Sequence, residues 1–258
     1  MSELLVETRG QSGWLILNRP KAFNSLTRTI LDDLAIALTD FEQDDNIRVV
    51  VLAATDCPAF CAGADLKQVL EKAEPGEKDF LMQCRTSFGA LRNCSKPVIA
   101  AINGMTMAGG LELTMCCDIV IASNKATLGD AHSNFGVFPG AGGAAILPKL
   151  VPVNVAKYLL FTGKSLPASE MKQYGLVNEI VEHEQLYSRV QELCDDLAEK
   201  SPLVLQRMKK IANQAQDQTR QSALDSELLE LREHFLSADI QEGLAAFSEK
   251  RKPVFIGK

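Results

Sequence analysis

The chain has 258 residues, 46% of them hydrophobic, enough to bury a sizeable core in one large domain or two small ones. A formal net charge of −6 argues against nonspecific binding to nucleic acid or to acidic membranes, while leaving room for a local basic pocket that takes phosphates. The seven cysteines, at 57, 61, 84, 94, 116, 117 and 194, form no CxxC pair and are odd in number, which fits idle thiols in a reducing compartment and excludes a disulfide framework or a zinc site.

Leu4 to Arg9 and Gly13 to Leu17 read as paired strands around a Gly10-Gln11-Ser12 turn. The first ten residues show neither an apolar signal core nor an Arg-rich amphipathic pattern, and no apolar run approaches the roughly 20 residues of a membrane span, so a soluble cytoplasmic protein is expected. After a polar break at Asn18 to Ala22, a helix is predicted over Thr27 to Asp40, with apolar residues 30, 31, 34 and 38 on one face. Arg48 to Thr55 reads as a buried strand. It passes through a small-residue turn ending in Ala62-Gly63-Ala64-Asp65 into an amphipathic helix over Leu66 to Lys72. A polar loop at Ala73 to Lys78 then leads to a helix over Phe80 to Leu91.

Val98 to Ile102 is another buried strand. Gly104 and Ala108-Gly109-Gly110 break it, and Leu111 to Cys117 reads as a helix. A strand that ends in glycines and opens a helix leaves free backbone N–H groups, which with the helix dipole favour negative charge. Glu112 sits in the first turn of that helix, either complementing the dipole or serving the site beside it. The turn at 62–65 makes a second helix start of the same kind. Two such N–H groups aimed at one carbonyl would form an oxyanion hole, worth several kcal/mol to a developing enolate.

Asp118 to Ala122 and Ala126 to Gly129 read as strands, and Asp130 to Gly143 as a turn-rich segment. Gly140 to Ala145 fits a loose G-x-G-x-x-A pattern, but no acidic residue stands where a ribose partner is needed, so a nucleotide site is rejected. Thr162 to Ser165 ends like a P-loop, yet Tyr158 occupies the place of its first glycine. Ala168 to Tyr174 is a short helix stopped by Gly175, and Val177 to Val181 is the last strand. From Glu184 onward the pattern is helical. Ser201-Pro202 forms an N-cap followed by proline, and Leu224, Leu228, Leu231 and Phe235 share one helix face. Asp239 with Glu242 reads as a capping pair before Leu244 and Phe247, with Pro253 ending that helix. The alternation of strands and helices predicts a layered α/β domain.

Two long segments, AFCAGADLKQV (59–69) and KPVIAAINGMTMAGGLELTMCCDI (96–119), resemble the signature segments of the crotonase superfamily, the enoyl-CoA hydratase/isomerase family. The resemblance extends through NRPKAFNSL (18–26), FGVFPGAGG (135–143), LLFTGKSLPASEMKQYGLVNEIV (159–181) and EGLAAFSEKRKPVF (242–255), nearly the whole chain in order. It implies a spiral of ββα turns over residues 1–200, which binds acyl-CoA, and a C-terminal helical subdomain over 201–258 that packs between subunits of a homotrimer or a dimer of trimers. It also implies an acyl-CoA thioester substrate, with coenzyme A as part of that substrate and no separate cofactor or metal.

By matched position, the resemblance assigns the two oxyanion amides to Ala64 and Gly109, and the first catalytic glutamate to Glu112. The implied substrate contacts are Lys21 and Ala22 in the first loop, Ala62, Gly63, Asp65 and Leu66 around the first turn, Gly110 and Pro139. Phe247 and Lys250 match positions that reach the coenzyme A of a neighbouring subunit. The chain departs from the family at one position. Counting back from Pro139, the second catalytic glutamate is replaced by His132, with Asp130 two residues earlier. An imidazole titrates near neutrality and can hold or relay a proton. Asp130 either orients it or caps a turn. Gly140 lacks the aspartate found there in some isomerases and dehalogenases. The expected reaction is hydration of a 2-enoyl-CoA. Isomerisation, decarboxylation, C–C hydrolysis and silent acyl-CoA binding remain as alternatives, and His183 and His234 read as structural.

Overall fold

The computed structural model describes residues 2–258. The chain opens with an antiparallel pair, β1 (Leu4–Arg9) and β2 (Ser12–Leu17), turned at Gly10 with φ 58°. Helix α1 (Arg28–Gln43) follows, its N-cap Thr27 accepting the Ile30 N–H. Then come β3 (Val49–Ala54), β4 (Ala59–Cys61), α2 (Leu66–Val69), α3 (Phe80–Asn93), β5 (Val98–Ile102), β6 (Met105–Met107), α4 (Gly109–Thr114), β7 (Ile119–Ser123) and β8 (Thr127–Gly129). The remainder is α5 (Leu147–Leu150), α6 (Val153–Thr162), β9 (Ser165–Pro167), α7 (Ala168–Gln173), β10 (Glu179–Val181), α8 (Leu186–Ala198), α9 (Pro202–Ala215), α10 (Arg220–His234) and α11 (Ala238–Glu249).

Two sheets form, one of six strands in the order β1-β2-β3-β5-β7-β10 and one of four in the order β4-β6-β8-β9. Every residue of β2, β3 and β5 is buried, as expected of parallel strands covered on both faces. The two-residue side-chain period sorts them. Leu15, Val50, Leu52 and Ala100 enter the core shared with α1 and α3, while Trp14, Val49, Val51 and Ile99 enter the one closed by Leu186, Val190 and Cys194 of α8.

Three successive passes each give one strand to each sheet: β3 with β4, β5 with β6, β7 with β8. In the small sheet β4, β6 and β8 are parallel neighbours. Their carboxyl ends therefore open side by side, and the chain leaving them carries Ala64, Gly109 and His132. Ligands of open α/β sheets lie outside such ends.

Several expected boundaries shift. Helix α4 starts two residues early because the glycines themselves wind into it, and it stops at Thr114. α2 ends at Val69 instead of Lys72, since Leu70 is 85% exposed and the polar segment after it has nothing to bury. β4 falls in what reads as a small-residue turn, and β6 and β9 are strands where the sequence pattern predicts none. The Asp239–Glu242 capping pair is not formed. Ser237 caps α11, while buried Asp239 accepts the Ile256 and Gly257 N–H groups and Glu242 pairs with Arg251. That helix also ends earlier than Pro253, at Lys250 in the left-handed region.

Gly110 is required by packing. A Cβ there would lie 2.4 Å from the Cys61 carbonyl oxygen, so α4 could not rest on β4. Gly110→Ala is expected to cost about 3 kcal/mol in a denaturant melt. Gly89→Ala, which meets nothing within 4 Å on α3, should add about 0.5–1 kcal/mol.

Candidate active site

Leu26 donates its N–H to the Gly63 carbonyl and accepts the Asp65 N–H, both at 2.8 Å. This parallel bridge leaves the N–H of the intervening Ala64 directed away from it. Gly109 is the first residue of α4, so its N–H has no carbonyl one turn back. Among the described residues neither amide has an acceptor. A Cβ built on Gly109 would stand 3.3 Å from the Ala64 nitrogen, so the two amides are adjacent, and both residues line one cavity of about 220 Å³. Two local features force this approach. Gly63 takes φ 104°, open essentially to glycine alone, and Ala108 is held at φ 49°, ψ −117° with its N–H on the Gly129 carbonyl. Two neighbouring, unpartnered amides on one cavity wall can serve as an oxyanion hole.

Glu112 lies one turn into α4, 4% exposed, and lines the same cavity. Its Oε1 accepts the backbone N–H groups of Ala141 at 2.8 Å and Gly143 at 2.9 Å. The glycine loop whose pattern suggested a nucleotide therefore cradles an anion, and that anion is the protein's own carboxylate. Oε2 is left free and stands 4.0 Å from Nε2 of His132. Two atoms that far apart can each bond one shared oxygen at about 2.8 Å.

His132 begins a 3-10 turn, His132–Phe135, just after β8. Ala131 before it takes φ 60°, which folds the ring back over Asp130. Asp130 does both things considered for it. Its Oδ1 accepts the His132 backbone N–H at 3.2 Å and lies 3.0 Å from Nδ1. Burial alone would lower the pKa of His132, but the hydrogen bond to Asp130 and the charges of Asp130 and Glu112 outweigh it, and the net shift is upward.

The rest of the wall is apolar. Phe80, Cys84 and Phe88, one stripe of α3 at helical spacing, face Leu26, Phe135, Val137 and Phe138. Burial first, and then the Glu112 charge, push the Cys84 thiol up to about 12. None of these wall residues belonged to the expected set. The amphipathic pattern of α3 was visible, but not which face met the site.

Of the expected contacts, Ala62, Ala64, Leu66, Gly109, Glu112 and His132 line the cavity. Asp65 instead caps α2 and pairs with Arg19 at 3.2 Å, and Gly110 packs on Cys61. Gly63 and Pro139 act from behind the lining, Gly63 by its conformation and Pro139 by packing beside Gly143. Exposed Lys21 and half-buried Ala22 sit in the Pro20–Ala22 turn, tied to the mouth by the Ala62 N–H on the Phe23 carbonyl at 3.0 Å. Phe247, 85% exposed, and Lys250, at the end of α11, do not line the cavity of their own chain. His183 and His234 also lie outside it, His183 bonded through Nδ1 to Ser123 at 3.1 Å and His234 to Ser237 at 3.3 Å.

The sequence profile of the enoyl-CoA hydratase/isomerase family matches residues 13–258. The chain is 32% identical to a short-chain-enoyl-CoA hydratase of Clostridium acetobutylicum, over 98% of this chain and 97% of that one. It is 33% identical to a crotonyl-CoA hydratase of Syntrophomonas wolfei, over 99% and 98%. A crystal structure of enoyl-CoA hydratase from Bacillus anthracis superposes with a TM-score of 0.93 at 34% identity, covering 99% of this chain and 100% of that one.

Proposed function

The chain belongs to the enoyl-CoA hydratase/isomerase family, and from that premise we propose that it adds water across the double bond of a 2-enoyl-CoA thioester. The observation that carries this reading is the pair of unpartnered amides of Ala64 and Gly109 beside a carboxylate and an imidazole 4.0 Å apart. The amides take the thioester oxygen, drawing electrons from C3 and holding the enolate that forms when an oxygen nucleophile adds there. Glu112 is the base. Its Oε1 is fixed by two N–H groups, so its free Oε2 can hold and deprotonate the water. His132 assists from the other side of the shared oxygen. Cys84 remains a thiol, so the electrophilic substrate meets no thiolate on the wall.

The test is hydration of crotonyl-CoA and longer 2-enoyl-CoAs, followed by loss of enone absorbance and by mass analysis. A product other than the 3-hydroxyacyl-CoA would move the reaction to isomerisation, decarboxylation or C–C cleavage. Binding without turnover would make the protein a silent acyl-CoA carrier.

The wall also selects the acyl group. Apart from His132, which is held between Glu112 and Asp130, it carries no cationic side chain, and its one buried carboxylate is Glu112. A 2-enoyl-CoA with a terminal carboxylate is expected to show kcat/KM at least about 100-fold below that of the plain chain of equal length, because its charge is desolvated without a partner. Side-by-side kinetics check this.

The working unit is proposed to be a homotrimer or a dimer of trimers, with residues 1–200 as the catalytic spiral and 201–258 as the helical subdomain between subunits. Exposed Leu224, Leu228, Leu231, Phe235 and Phe247 on its helices support that role. In such an assembly Phe247 and Lys250 would meet a neighbour's coenzyme A, while Lys21 would meet the phosphates of the coenzyme A at its own chain's cavity. Coenzyme A enters as part of the substrate, and no nucleic-acid partner is proposed. No helix among the described residues is long and apolar enough to cross a membrane. Free Cys57, Cys61, Cys84, Cys94, Cys116, Cys117 and Cys194 support a cytoplasmic setting.

A further inference from the structure

We propose that Asp130 is a positioning residue that keeps His132 in its doubly protonated form, so that His132, as the acid, delivers the proton to C2 of the substrate. This rests on the hydratase reading above. Asp130 is fully buried at the exit of β8, and its Oδ1 binds the backbone and ring N–H groups of the same histidine. That grip fixes Nδ1 as a donor and turns Nε2 toward Oε2 of Glu112. The other oxygen, Oδ2, has no donor among the described residues and lies against the backbone of Gly143, where a Cβ would come within 2.6 Å. Burying a carboxylate with one oxygen unpartnered is unfavourable. The cationic ring at its first oxygen is what offsets that burial here.

The groups facing the ring are Asp130 behind it, Glu112 of α4 across the cavity, and the neutral Cys84 thiol of α3. Helix α6 also packs against the His132 turn, with its Lys157 and Tyr158 outside the cavity lining. The two carboxylates together raise the ring's proton affinity against the opposing effect of burial.

The step then balances. An O–H bond of water breaks as its proton passes to Glu112, and the oxygen forms a bond to C3. The C2–C3 π pair moves toward the thioester oxygen between Ala64 and Gly109. The enolate collapses as C2 takes the proton from Nε2 of His132, leaving neutral imidazole and a protonated Glu112. One proton passing from Glu112 to His132 through the oxygen they share resets the pair.

Asp130→Asn keeps the shape but removes the charge. The variant loses the charge of Asp130 and the charge assistance of its hydrogen bond, both of which raise the ring's pKa, and keeps the burial that lowers it. The alkaline limb of the kcat/KM profile should therefore move down by about one pH unit, with a loss of about tenfold in kcat on that limb and little change in KM. Below the shifted limb activity should largely recover. A purely structural role would lower the rate evenly at every pH, and an unmoved limb overturns the proposal. Proton NMR of the His132 ring, assigned with His132→Gln, gives a readout free of turnover. The wild-type ring should titrate above free histidine, and the Asp130→Asn ring below the wild type. A wild-type ring that titrates below free histidine overturns the proposal without any Asp130 variant. If the ring titrates as expected but no enoyl-CoA is hydrated, the hydration reading fails, and with it the C2 delivery step, while the Asp130–His132 pair stands.

Discussion

Glu112→Gln is expected to lower kcat for crotonyl-CoA hydration by about 1,000-fold with KM changed less than about threefold. The amide has the same shape, and its oxygen can still accept the Ala141 and Gly143 N–H groups that hold Oε1 at 2.8 and 2.9 Å. The loop should stay in place, and the melting temperature with it. What disappears is the basic oxygen facing His132 across 4.0 Å. A variant that keeps a tenth of the wild-type rate would remove Glu112 from the chemistry and leave it as an anchor for the glycine loop.

The second large effect is expected at Gly109. A Cβ there would lie 3.3 Å from the Ala64 nitrogen and 3.4 Å from Cδ1 of Leu26, and the branches of a valine would fill the space the thioester oxygen needs. Gly109→Val should cut kcat/KM by about 100- to 1,000-fold. It should also abolish binding of a 3-ketoacyl-CoA as its enolate, read from the enolate absorbance. Gly109 is not at positive φ, so the change adds no backbone strain, and a thermal melt of the variant checks that the crowding against Ala64 and Leu26 leaves it folded. Retained enolate binding would show that the two amides do not grip one oxygen.

The large sheet was legible in the sequence because its strands are unbroken apolar runs: Val49–Ala54 and Val98–Ile102 can be buried nowhere else. Of the small sheet only β8 was, since residues 126–129 read as a strand. Its strands are three residues each, too short for any alternation to register. Met105–Met107 lies between glycine-bearing turns and becomes a strand only because β4 and β8 flank it. Glu112 and His132 could be singled out by position in the chain. That the loop at 139–143 serves Glu112 could not, since the bonds span 29 and 31 residues. Phe80, Cys84 and Phe88 were visible as one helical stripe, but a stripe does not say whether it covers a core or a substrate.

The three parallel exits of β4, β6 and β8 bring the proposed site residues from three separate chain segments. In the proposed reaction the grip on the thioester hangs from the first two, and the acid that delivers the proton to the enolate hangs from the third, beyond a separate reversal at Ala131. A new outcome for the same intermediate can thus be installed by editing a few residues after Gly129 without touching the amides. A histidine with a carboxylate behind it, at the position where the resemblance implies a glutamate, is an edit of that kind, and it makes the end of β8 the natural place to re-engineer this scaffold for other thioester chemistry.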